Sequence, residues 1–254
     1  STYGQLFLVG CEDIQTIAGN FQNTNVGTSI VYSLNCSISG LSLDGCHTGI
    51  DILSSPDCTI VYADIVYAGP YASSSGIFSE YSPRLNISNC NFENVANGIE
   101  IEYCPDSFIV WNTMNDTYSI GIDLRDSPRS VVAYNEFEFA PQVAIDIIWS
   151  DGVAIHNNTM IHEVGGALYI YQSDYALVAD NTITCTGSGL YLSNHVGTRI
   201  EGNTIDGTTS CIDTTTSTID PGTGDPTLAI IGIGGACGAI LILVILLMRK
   251  RKGG

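Results

Sequence analysis

Small and apolar residues recur along the chain in columns whose members are mostly 22 or 23 residues apart. The small residue ahead of an apolar–x–apolar triplet stands at Gly49, Gly76, Gly98, Gly121, Ala144, Ala167, Gly189 and Cys211. The first apolar residue of each triplet forms a second column, from Ile50 to Ile212. Two more apolar columns, from Ile38 to Ile200 and from Leu43 to Ile205, keep the same register. Such internal periodicity is the sequence signature of a solenoid.

The repeat predicts short strands rather than helices. It is shorter than a helical-hairpin repeat of about 34 residues, and apolar residues alternate with polar residues within each triplet, as in a strand. Equivalent strands of successive repeats then stack as parallel sheets, about 4.8 Å apart. We therefore predict an all-β fold, a parallel β-helix (solenoid) of about nine coils over residues 1–218. The first 34 residues fit the columns more loosely, so we expect the chain to begin inside a coil, without the N-terminal cap that such a stack needs.

One polar residue also recurs once per repeat. This column consists of Asn112, Asn135, Asn158, Asn181 and Asn203. An asparagine at an inward turn can bond the backbone and the equivalent asparagine of the next coil, which satisfies polar groups that would otherwise be buried without partners. We therefore predict a structural Asn ladder.

The charges are distributed unevenly along the chain. It has 8 Lys and Arg against 26 Asp and Glu, a net charge of −18, and charged residues make up only 13% of it. Four of the eight basic residues lie at 249–252, so residues 1–227 carry four basic against 26 acidic residues, a net charge of −22. A surface of this sign repels phosphates, which argues against nucleic acid as a partner, and it attracts cations such as Ca²⁺.

The C-terminal region predicts a membrane anchor. Residues 228–248 contain no charge and would span about 31 Å as a helix, which matches the bilayer core. A tail at 249–254, with basic residues at 249–252, follows at once, so the positive-inside rule places this tail in the cytoplasm and the β-helix outside the cell membrane. Residues 219–227 read as a Thr/Pro/Gly-rich stalk. Gly234 and Gly238 form a small-xxx-small pair, which favours dimerisation of such helices. An outside domain needs export, so we expect the start of the chain to be processed or missing.

A family resemblance rests on two short motifs. One is Ile-x-x-Asn-x-Ile/Phe/Met, as in Ile109 to Met114, and the other is Gly-Ile-x-Ile, as in Gly98 to Ile101. Together they resemble the right-handed parallel β-helix repeats of the pectin-lyase-like superfamily, in particular the proteins grouped with the periplasmic copper-accessory protein NosD and with carbohydrate-binding and sugar-hydrolysis domains. The resemblance covers about residues 30–218. It implies a right-handed β-helix but leaves the activity open, because this fold carries lyases, hydrolases, epimerases, adhesins and non-enzymes.

The middle residue of each triplet must face solvent, because strand neighbours alternate sides. This outward column reads Asp51, Phe78, Glu100, Asp123, Asp146, Tyr169, Tyr191 and Asp213. Glu100, Asp123 and Asp146 should therefore stack on three consecutive coils, where like charges repel each other. The fold tolerates this if the face is wet, if one carboxylate takes a proton, or if a cation lies between them. Two residues further on, a second outward column contains Glu80, Glu102, Arg125 and Tyr171.

The first functional hypothesis is a polysaccharide site on this face. Its predicted ligand-binding residues are Glu100, Glu102, Tyr169, Tyr171 and Tyr191. The tyrosines would stack on sugar rings, Arg125 would neutralise a uronate or assist proton abstraction, and Glu100, Asp123 and Asp146 would hold Ca²⁺ through oxygen ligands. The arrangement resembles that of β-helix polysaccharide lyases. In a hydrolase, Asp123 and Asp146 would divide the acid and base roles; an epimerase is a further variant.

Two alternatives remain open from the sequence. The chain can be a structural or adhesive rod whose acidic face is simply solvated, with Arg125 paired to Glu102 one coil away. It can also be a metal-delivery accessory, as the NosD name suggests. That role needs converging His or Cys ligands, and the four histidines, His47, His156, His162 and His195, are scattered.

Cysteines and glycosylation sequons leave further alternatives. Of the eight cysteines before the predicted span, Cys36 and Cys58 lie in one column on adjacent coils, either as a disulfide or as stacked buried thiols. The sequons begin at Asn35, Asn86, Asn115 and Asn157 and predict a glycoprotein if the chain is exported.

Overall fold

Successive repeats of the chain stack as parallel strands. The computed structural model describes residues 5–66, 74–139, 142–163, 165–207, 212–218, 230–231 and 243–244. In chain order the strands are β1 Leu6–Val9, β2 Gln15–Gln22, β3 Val26–Val31, β4 Ser37–Asp44, β5 Thr48–Leu53, β6 Thr59–Val61, β7 Asp64–Val66, β8 Ser75–Glu80, β9 Asn86–Ser88, β10 Asn91–Glu93, β11 Asn97–Glu102, β12 Phe108–Val110, β13 Thr113–Asn115, β14 Ile120–Arg125, β15 Val131–Ala133, β16 Glu136–Glu138, β17 Val143–Ile148, β18 Ala154–His156, β19 Thr159–Glu163, β20 Gly166–Tyr171, β21 Leu177–Ala179, β22 Thr182–Cys185, β23 Ser188–Val196, β24 Arg199–Glu201, β25 Thr204–Gly207, β26 Ile212–Thr218, β27 Ile230–Ile231 and β28 Leu243–Val244.

The strands up to β26 form two parallel sheets. Sheet 1 has ten strands in the order β1-β3-β5-β8-β11-β14-β17-β20-β23-β26. Sheet 2 has sixteen strands: two branches of seven strands that meet at the long strand β4, and β2, which also pairs with β4. One branch runs through β6, β9, β12, β15, β18, β21 and β24, and the other through β7, β10, β13, β16, β19, β22 and β25. The chain is thus an all-β parallel β-helix, as the repeat predicts, and of the right-handed type that the family resemblance implies. It has about eight turns rather than the predicted nine or so.

The predicted apolar columns form the core between the sheets. The apolar column from Ile50 to Leu190 is completely buried. The residues of the neighbouring small column are small because bulky residues of the Leu43–Ile205 column pack against them. A Cβ atom added at Gly76 would lie 2.6 Å from Phe92 Cδ1 and 2.7 Å from the carbonyl oxygen of Gly98, closer than packed atoms approach.

Asparagine side chains link neighbouring coils by hydrogen bonds inside the turn that follows the first branch of sheet 2. Asn112 Nδ2 donates to Asn135 Oδ1 (3.0 Å) and to the carbonyl oxygen of Ile87 (3.0 Å). The backbone N–H of Asn112 donates to the same Oδ1 atom (2.9 Å). The pattern repeats as far as Asn203 at the C-terminal end of the ladder. At the N-terminal end, the backbone N–H of Cys90 donates to Asn112 Oδ1. Each amide therefore satisfies its own polar atoms and those of the coil before.

Two further ladders were not predicted from the sequence. In the turn after sheet 1, the backbone N–H of one coil donates to the hydroxyl of the next, as from Ser33 to Ser55 (3.0 Å) and from Ser127 to Ser150 (2.9 Å). At the exposed corner that follows, acidic and basic residues alternate. Here Arg84 pairs with Asp57 (2.6 Å) and Arg129 with Asp106 (2.7 Å).

The cysteines whose side chains the structure describes are thiols. These are Cys11, Cys36, Cys46, Cys58, Cys90 and Cys104. Cys36 and Cys58 are both completely buried, and burial raises the pKa of the Cys58 thiol to about 11. The stacked-thiol alternative, rather than the disulfide, is the one present in this structure. Cys185 and Cys211 lie outside the described side chains.

The predicted membrane span lies largely outside the described residues. Of residues 228–248, only Ile230–Ile231 and Leu243–Val244 are described, and they pair as antiparallel strands. No helix within the described ranges is long and apolar enough to cross a bilayer. The stalk at 219–227, the tail at 249–254 and the pair Gly234 and Gly238 also lie outside the described residues, so these remain predictions.

Candidate functional site

The outward column of sheet 1 has the register that the repeat predicts. Glu100 pairs with Asp123, and Asp123 with Asp146. The column then continues through Tyr169 to Tyr191. Consecutive strands of this sheet therefore carry three carboxyl groups and then two phenol rings on one face.

The second outward column runs parallel to the first, two residues further along each strand. It brings Glu80 beside Glu102, Glu102 beside Arg125, and Arg125 beside Ile148, with Tyr171 next. Its two ends differ in character, because the carboxylates lie toward the N-terminal coils and the apolar and aromatic side chains toward the C-terminal coils. The candidate site lies where the two halves meet.

Arg125 is engaged by Asp123 on its own strand. Arg125 Nη2 lies 2.7 Å from Asp123 Oδ2, and Nε lies 3.1 Å from both carboxylate oxygens. The expected pairing of Arg125 with Glu102 is wrong within the described structure, because residues two apart on a strand share a face and the shorter Asp123 side chain meets the guanidinium directly. Asp123 is only 2% exposed. Burial raises the pKa of Asp123, and the hydrogen bonds and charge of Arg125 oppose that rise.

Asp146, on the next coil, titrates near neutrality. Burial, together with the neighbouring charge of Asp123, raises the pKa of Asp146 to about 6, while Arg125 lowers it. Within the described part of the chain Asp146 forms no salt bridge. The face therefore contains one carboxyl group held beside a guanidinium and a second one that exchanges a proton close to neutral pH.

Tyr169 lies across its own strand above a glycine. A Cβ atom added at Gly166 would lie 2.8 Å from both Cζ and Oη of Tyr169, so the ring occupies the space where a side chain would be. The ring is half-buried, and its centroid lies 5.2 Å from that of Tyr191 with the planes tilted by 51°. Burial and then the charge of Asp146 raise the pKa of the Tyr169 phenol. The ring therefore lies against its own strand at Gly166 and is partly exposed.

Glu100 is oriented by two polar side chains. Ser75 Oγ donates to Glu100 Oε2 (2.8 Å), and Asn97 Nδ2 lies 3.4 Å from the same oxygen. Burial raises the pKa of Glu102, with Arg125 lowering it and the charges of Glu100 and Glu80 adding to the rise. The N-terminal end of this face therefore consists of carboxylate hydrogen-bond acceptors whose like charges repel one another.

Sequence reasoning missed an aromatic row along the border of sheet 1. The residue after each strand has a left-handed backbone conformation and is often aromatic. Tyr81 and Tyr103 stack with centroids 4.9 Å apart and planes 9° from parallel. Trp149, 51% exposed, donates from Nε1 to Gln172 Oε1 (2.7 Å). The signal was available, because these residues recur with the same period as the triplets.

One family model matches almost the whole β-helix. The family is described as periplasmic copper-binding protein (NosD), and its model matches residues 2–138 and 69–223. The chain belongs to the NosD family. No curated protein matches this NosD-family protein.

Solved structures share its fold. A mutant of the periplasmic alginate epimerase AlgG is 14% identical, with a TM-score of 0.60 over 82% of this chain and 61% of that one. A mutant of the DFA-IIIase from Arthrobacter chlorophenolicus A6, in complex with DFA-III, is 14% identical, with a TM-score of 0.62 over 72% of this chain and 47% of that one. The NosD-family chain thus covers 61% and 47% of these two structures. At this identity the likeness shows the fold alone.

The family description raises the question of copper. Copper favours imidazole, thiolate and thioether ligands. Among the described residues, no three His, Cys, Asp or Glu side chains form a group that could hold a metal ion. His156 packs its ring against Tyr134, and His195 is buried with no hydrogen-bond partner at either ring nitrogen. The described residues therefore do not fit a bound copper ion.

The same geometry bears on the predicted calcium ligands. Glu100, Asp123 and Asp146 occupy consecutive coils, but they do not form a metal-binding group. Both carboxylate oxygens of Asp123 accept hydrogen bonds from Arg125, and Glu100 accepts a hydrogen bond from Ser75. Calcium binding at these residues stays a prediction.

Proposed function

We propose that this NosD-family protein binds a polysaccharide along the outward face of sheet 1, with Tyr169 and Asp146 at the centre of the site. The observation that carries the proposal is the Tyr169 ring, which lies over Gly166 beside a carboxyl group that titrates near neutral pH. Fold neighbours whose names refer to alginate and to DFA-III support a carbohydrate-related role.

The shape of the site suits a sugar chain. A pyranose ring stacks on an aromatic face and donates its hydroxyls to carboxylates at the rim. Tyr169 supplies a partly exposed ring, and Tyr191 adds a second ring 5.2 Å away. Tyr171, 37% exposed, lies in the parallel column. Tyr81 and Tyr103, in contrast, stack on each other, so one face of each ring is covered.

The charges favour an uncharged glycan. The guanidinium of Arg125 is already neutralised by Asp123 and is therefore a poor partner for a uronate. Glu80, Glu100 and Glu102 surround it with negative charge, which repels a polyanion. We accordingly replace the uronate ligand expected from the sequence with a neutral polysaccharide.

A second candidate function is cleavage of the bound glycan. A partly buried carboxyl group with a pKa near 6 has the property that a general acid needs at neutral pH. Asp146 would donate its proton to the glycosidic oxygen of the leaving sugar, a water molecule would attack the anomeric carbon and release a proton to solvent, and Asp123, held by Arg125, would remain the anion beside Asp146. Glycoside hydrolases use two carboxyl groups whose surroundings keep one protonated and the other ionised.

The cellular setting is part of the proposal. We propose that the apolar segment at 228–248 anchors the protein in the cell membrane and that the β-helix lies outside. The absence of any charge from this segment and the basic residues directly after it support this arrangement.

A neutral and acidic glycan array tests the proposal. The full chain is applied with and without Ca²⁺, beside Tyr169→Ser in the site and Tyr62→Ser as the control, since Tyr62 is an exposed tyrosine on a different corner. We expect neutral glycans to be retained by the wild type and the control and lost by Tyr169→Ser. Equal binding by Tyr169→Ser, or no binding by the wild type, would contradict the proposal. A strict Ca²⁺ requirement would restore the predicted carboxylate metal site.

A further inference from the structure

Trp149 lies at the border of sheet 1, directly beside the proposed glycan site. It follows Ile148, the last residue of β17, and Ile148 pairs with Tyr171 on the next coil. The backbone N–H of Trp149 donates to the carbonyl oxygen of Tyr171 (3.1 Å). Trp149 is 51% exposed and Tyr171 is 37% exposed. Two exposed aromatic residues therefore continue the site from the face of the sheet to its border.

The turn at this border does not require a tryptophan. Trp149 has a φ of 50°, a left-handed backbone conformation that small polar residues and glycine adopt more readily than bulky residues do. The equivalent residues on the coils before and after it are Asp126 and Gln172, which have the same conformation and the same backbone hydrogen bond to the following coil. Polar side chains therefore satisfy this turn, and the indole ring needs another explanation.

Stacking within the border row does not explain the tryptophan either. Tyr81 and Tyr103 occupy successive positions of the row and stack on each other. Trp149 instead lies between Asp126 and Gln172, neither of which has an aromatic ring. Its Nε1–H donates to Gln172 Oε1 (2.7 Å). Because this N–H lies in the plane of the indole, the edge of the ring is turned toward Gln172 and its faces are not.

Polar groups flank the exposed ring on both sides. A site for a small ligand combines apolar or aromatic surface with a few polar groups that fix the orientation of the ligand. Asp126 is partly exposed and forms no salt bridge over the described ranges, so its carboxylate can accept from a sugar hydroxyl. Gln172 uses its amide oxygen for Trp149, which leaves the amide NH₂ group as the donor for a ligand.

Strand β20 connects this border to the centre of the site. Tyr169 and Tyr171 lie two residues apart and share the outward face, and Gln172 at the border follows directly. Three residues of a strand cover about 10 Å. This is longer than one sugar ring, so a monosaccharide on Tyr169 would not reach the border, whereas several linked sugars along β20 would.

We propose that Trp149 forms a second sugar-binding subsite, occupied by a neutral oligosaccharide that has another of its rings on Tyr169. The inference rests on the proposed glycan site and extends it from one sugar ring to a chain of sugars. Affinity then increases with the length of the oligosaccharide, and Trp149 is the residue that determines this increase.

Tryptophan fluorescence reports on this subsite directly, because the chain contains only two tryptophans. Trp111→Phe leaves Trp149 as the only one and keeps an aromatic ring beside Tyr134, on which Trp111 stacks. This variant is titrated with the mono- to tetrasaccharides of an array-selected neutral glycan. We expect the tetrasaccharide to shift the emission and to reduce acrylamide quenching, and the monosaccharide to change neither. Unchanged emission and quenching at saturating tetrasaccharide would overturn the proposal.

Affinities measured by ligand-observed NMR separate the two subsites. Trp149→Asn suits the turn, since Asn194 occupies the same row two coils later. Relative to the wild type, we expect this variant to bind the tetrasaccharide at least about tenfold more weakly and the monosaccharide equally well, because an exposed tryptophan often dominates a binding site. Trp111→Phe should match the wild type for both ligands.

Two results in the Trp149→Asn variant would overturn the second subsite while the site at Tyr169 stands. One is an unchanged affinity for the tetrasaccharide, and the other is an equal loss of affinity for the monosaccharide and the tetrasaccharide. A wild-type chain that binds no member of the series would instead overturn the glycan site itself, and the second subsite with it.

Discussion

Arg125 and Asp123, two residues apart on one strand, form a bidentate pair on the outward face of sheet 1, with a shortest nitrogen–oxygen distance of 2.7 Å. The Asp123 side chain is 3% exposed and that of Arg125 is 38% exposed. The guanidinium thus covers a carboxylate that would otherwise be buried without a counter-charge. This pair separates the crowded carboxylates of the N-terminal coils from the aromatic half of the site.

Removal of the guanidinium should destabilise the protein. In Arg125→Gln, Asp123 would remain buried without its cation, and we expect the free energy of unfolding to fall by about 2–3 kcal/mol at pH 7. This is less than the about 3–5 kcal/mol for a fully buried pair, because Arg125 is partly exposed. The double variant Asp123→Asn, Arg125→Gln should recover most of the loss in urea unfolding. A double variant as unstable as Arg125→Gln would contradict this account of the pair.

Asp146 should make stability depend on pH. Its pKa is about 6 in the folded protein and 3.8 for the ordinary group, so between these values the folded state holds a proton that the unfolded state has released. The stabilising contribution of protonation is complete below about pH 4 and is lost as the pH rises through about 6.

The variant Asp146→Asn isolates this effect. Since it cannot ionise, we expect it to be more stable than the wild type at pH 8, by up to about 3 kcal/mol, and to match the wild type near pH 4. Thermal unfolding of both proteins across this pH range provides the measurement. A constant difference between the two proteins from pH 4 to pH 8 would show that Asp146 does not titrate there.

A methyl group at position 166 should impair binding without unfolding the protein. The new Cβ of Gly166→Ala would meet the Tyr169 ring, which can rotate away, so we expect a stability change below about 1 kcal/mol and at least a tenfold loss of glycan affinity. Calorimetric titration with an array-selected glycan measures the affinity. In the Tyr169→Ser background, Gly166→Ala should cause no further loss of glycan affinity. An additional loss there would contradict the position of the Tyr169 ring as the cause.

The centre of the Asn ladder should be more sensitive than its end. Asn135→Ala removes the acceptor for two donors of Asn112 and the donor to the carbonyl oxygen of Ile109, all of them buried. We expect a loss of about 2–4 kcal/mol in urea unfolding, because each orphaned buried group costs about 1–3 kcal/mol. Asn203→Ala, at the partly exposed end of the ladder, should cost clearly less. Equal losses at the two positions would show that ladder contacts do not determine the sensitivity.

Much of the fold could be predicted because one period governs the whole β-helix. Once Ile99 and Ile122 are recognised as equivalent, every outward neighbour, such as Glu100 beside Asp123, follows from the alternation of strand side chains. The period also predicts which asparagines meet, since each lies at the same turn of its coil. The left-handed turn residues after the strands of sheet 1 obey the same period, but their mixed chemistry conceals the aromatic row.

The details of the candidate site could not be predicted in the same way. Register fixes backbone neighbours but not side-chain rotamers, so the sequence left Arg125 free to meet Glu102 across the coils or Asp123 along the strand. The position of the Tyr169 ring depends on an empty space at Gly166, and a glycine in a strand does not reveal which side chain fills that space. The titration of Asp146 depends on how deeply its neighbours bury it, which only packing determines.

Hydroxyl-radical footprinting with and without a bound neutral oligosaccharide tests the proposed site most directly. The account predicts that the ligand protects Tyr169, Tyr171 and Tyr191 from oxidation and leaves Tyr62 as reactive as before. Protection of Trp111 and Tyr134 instead, or oxidation of the three sheet 1 tyrosines unchanged at saturating ligand, would show that this face does not hold the glycan.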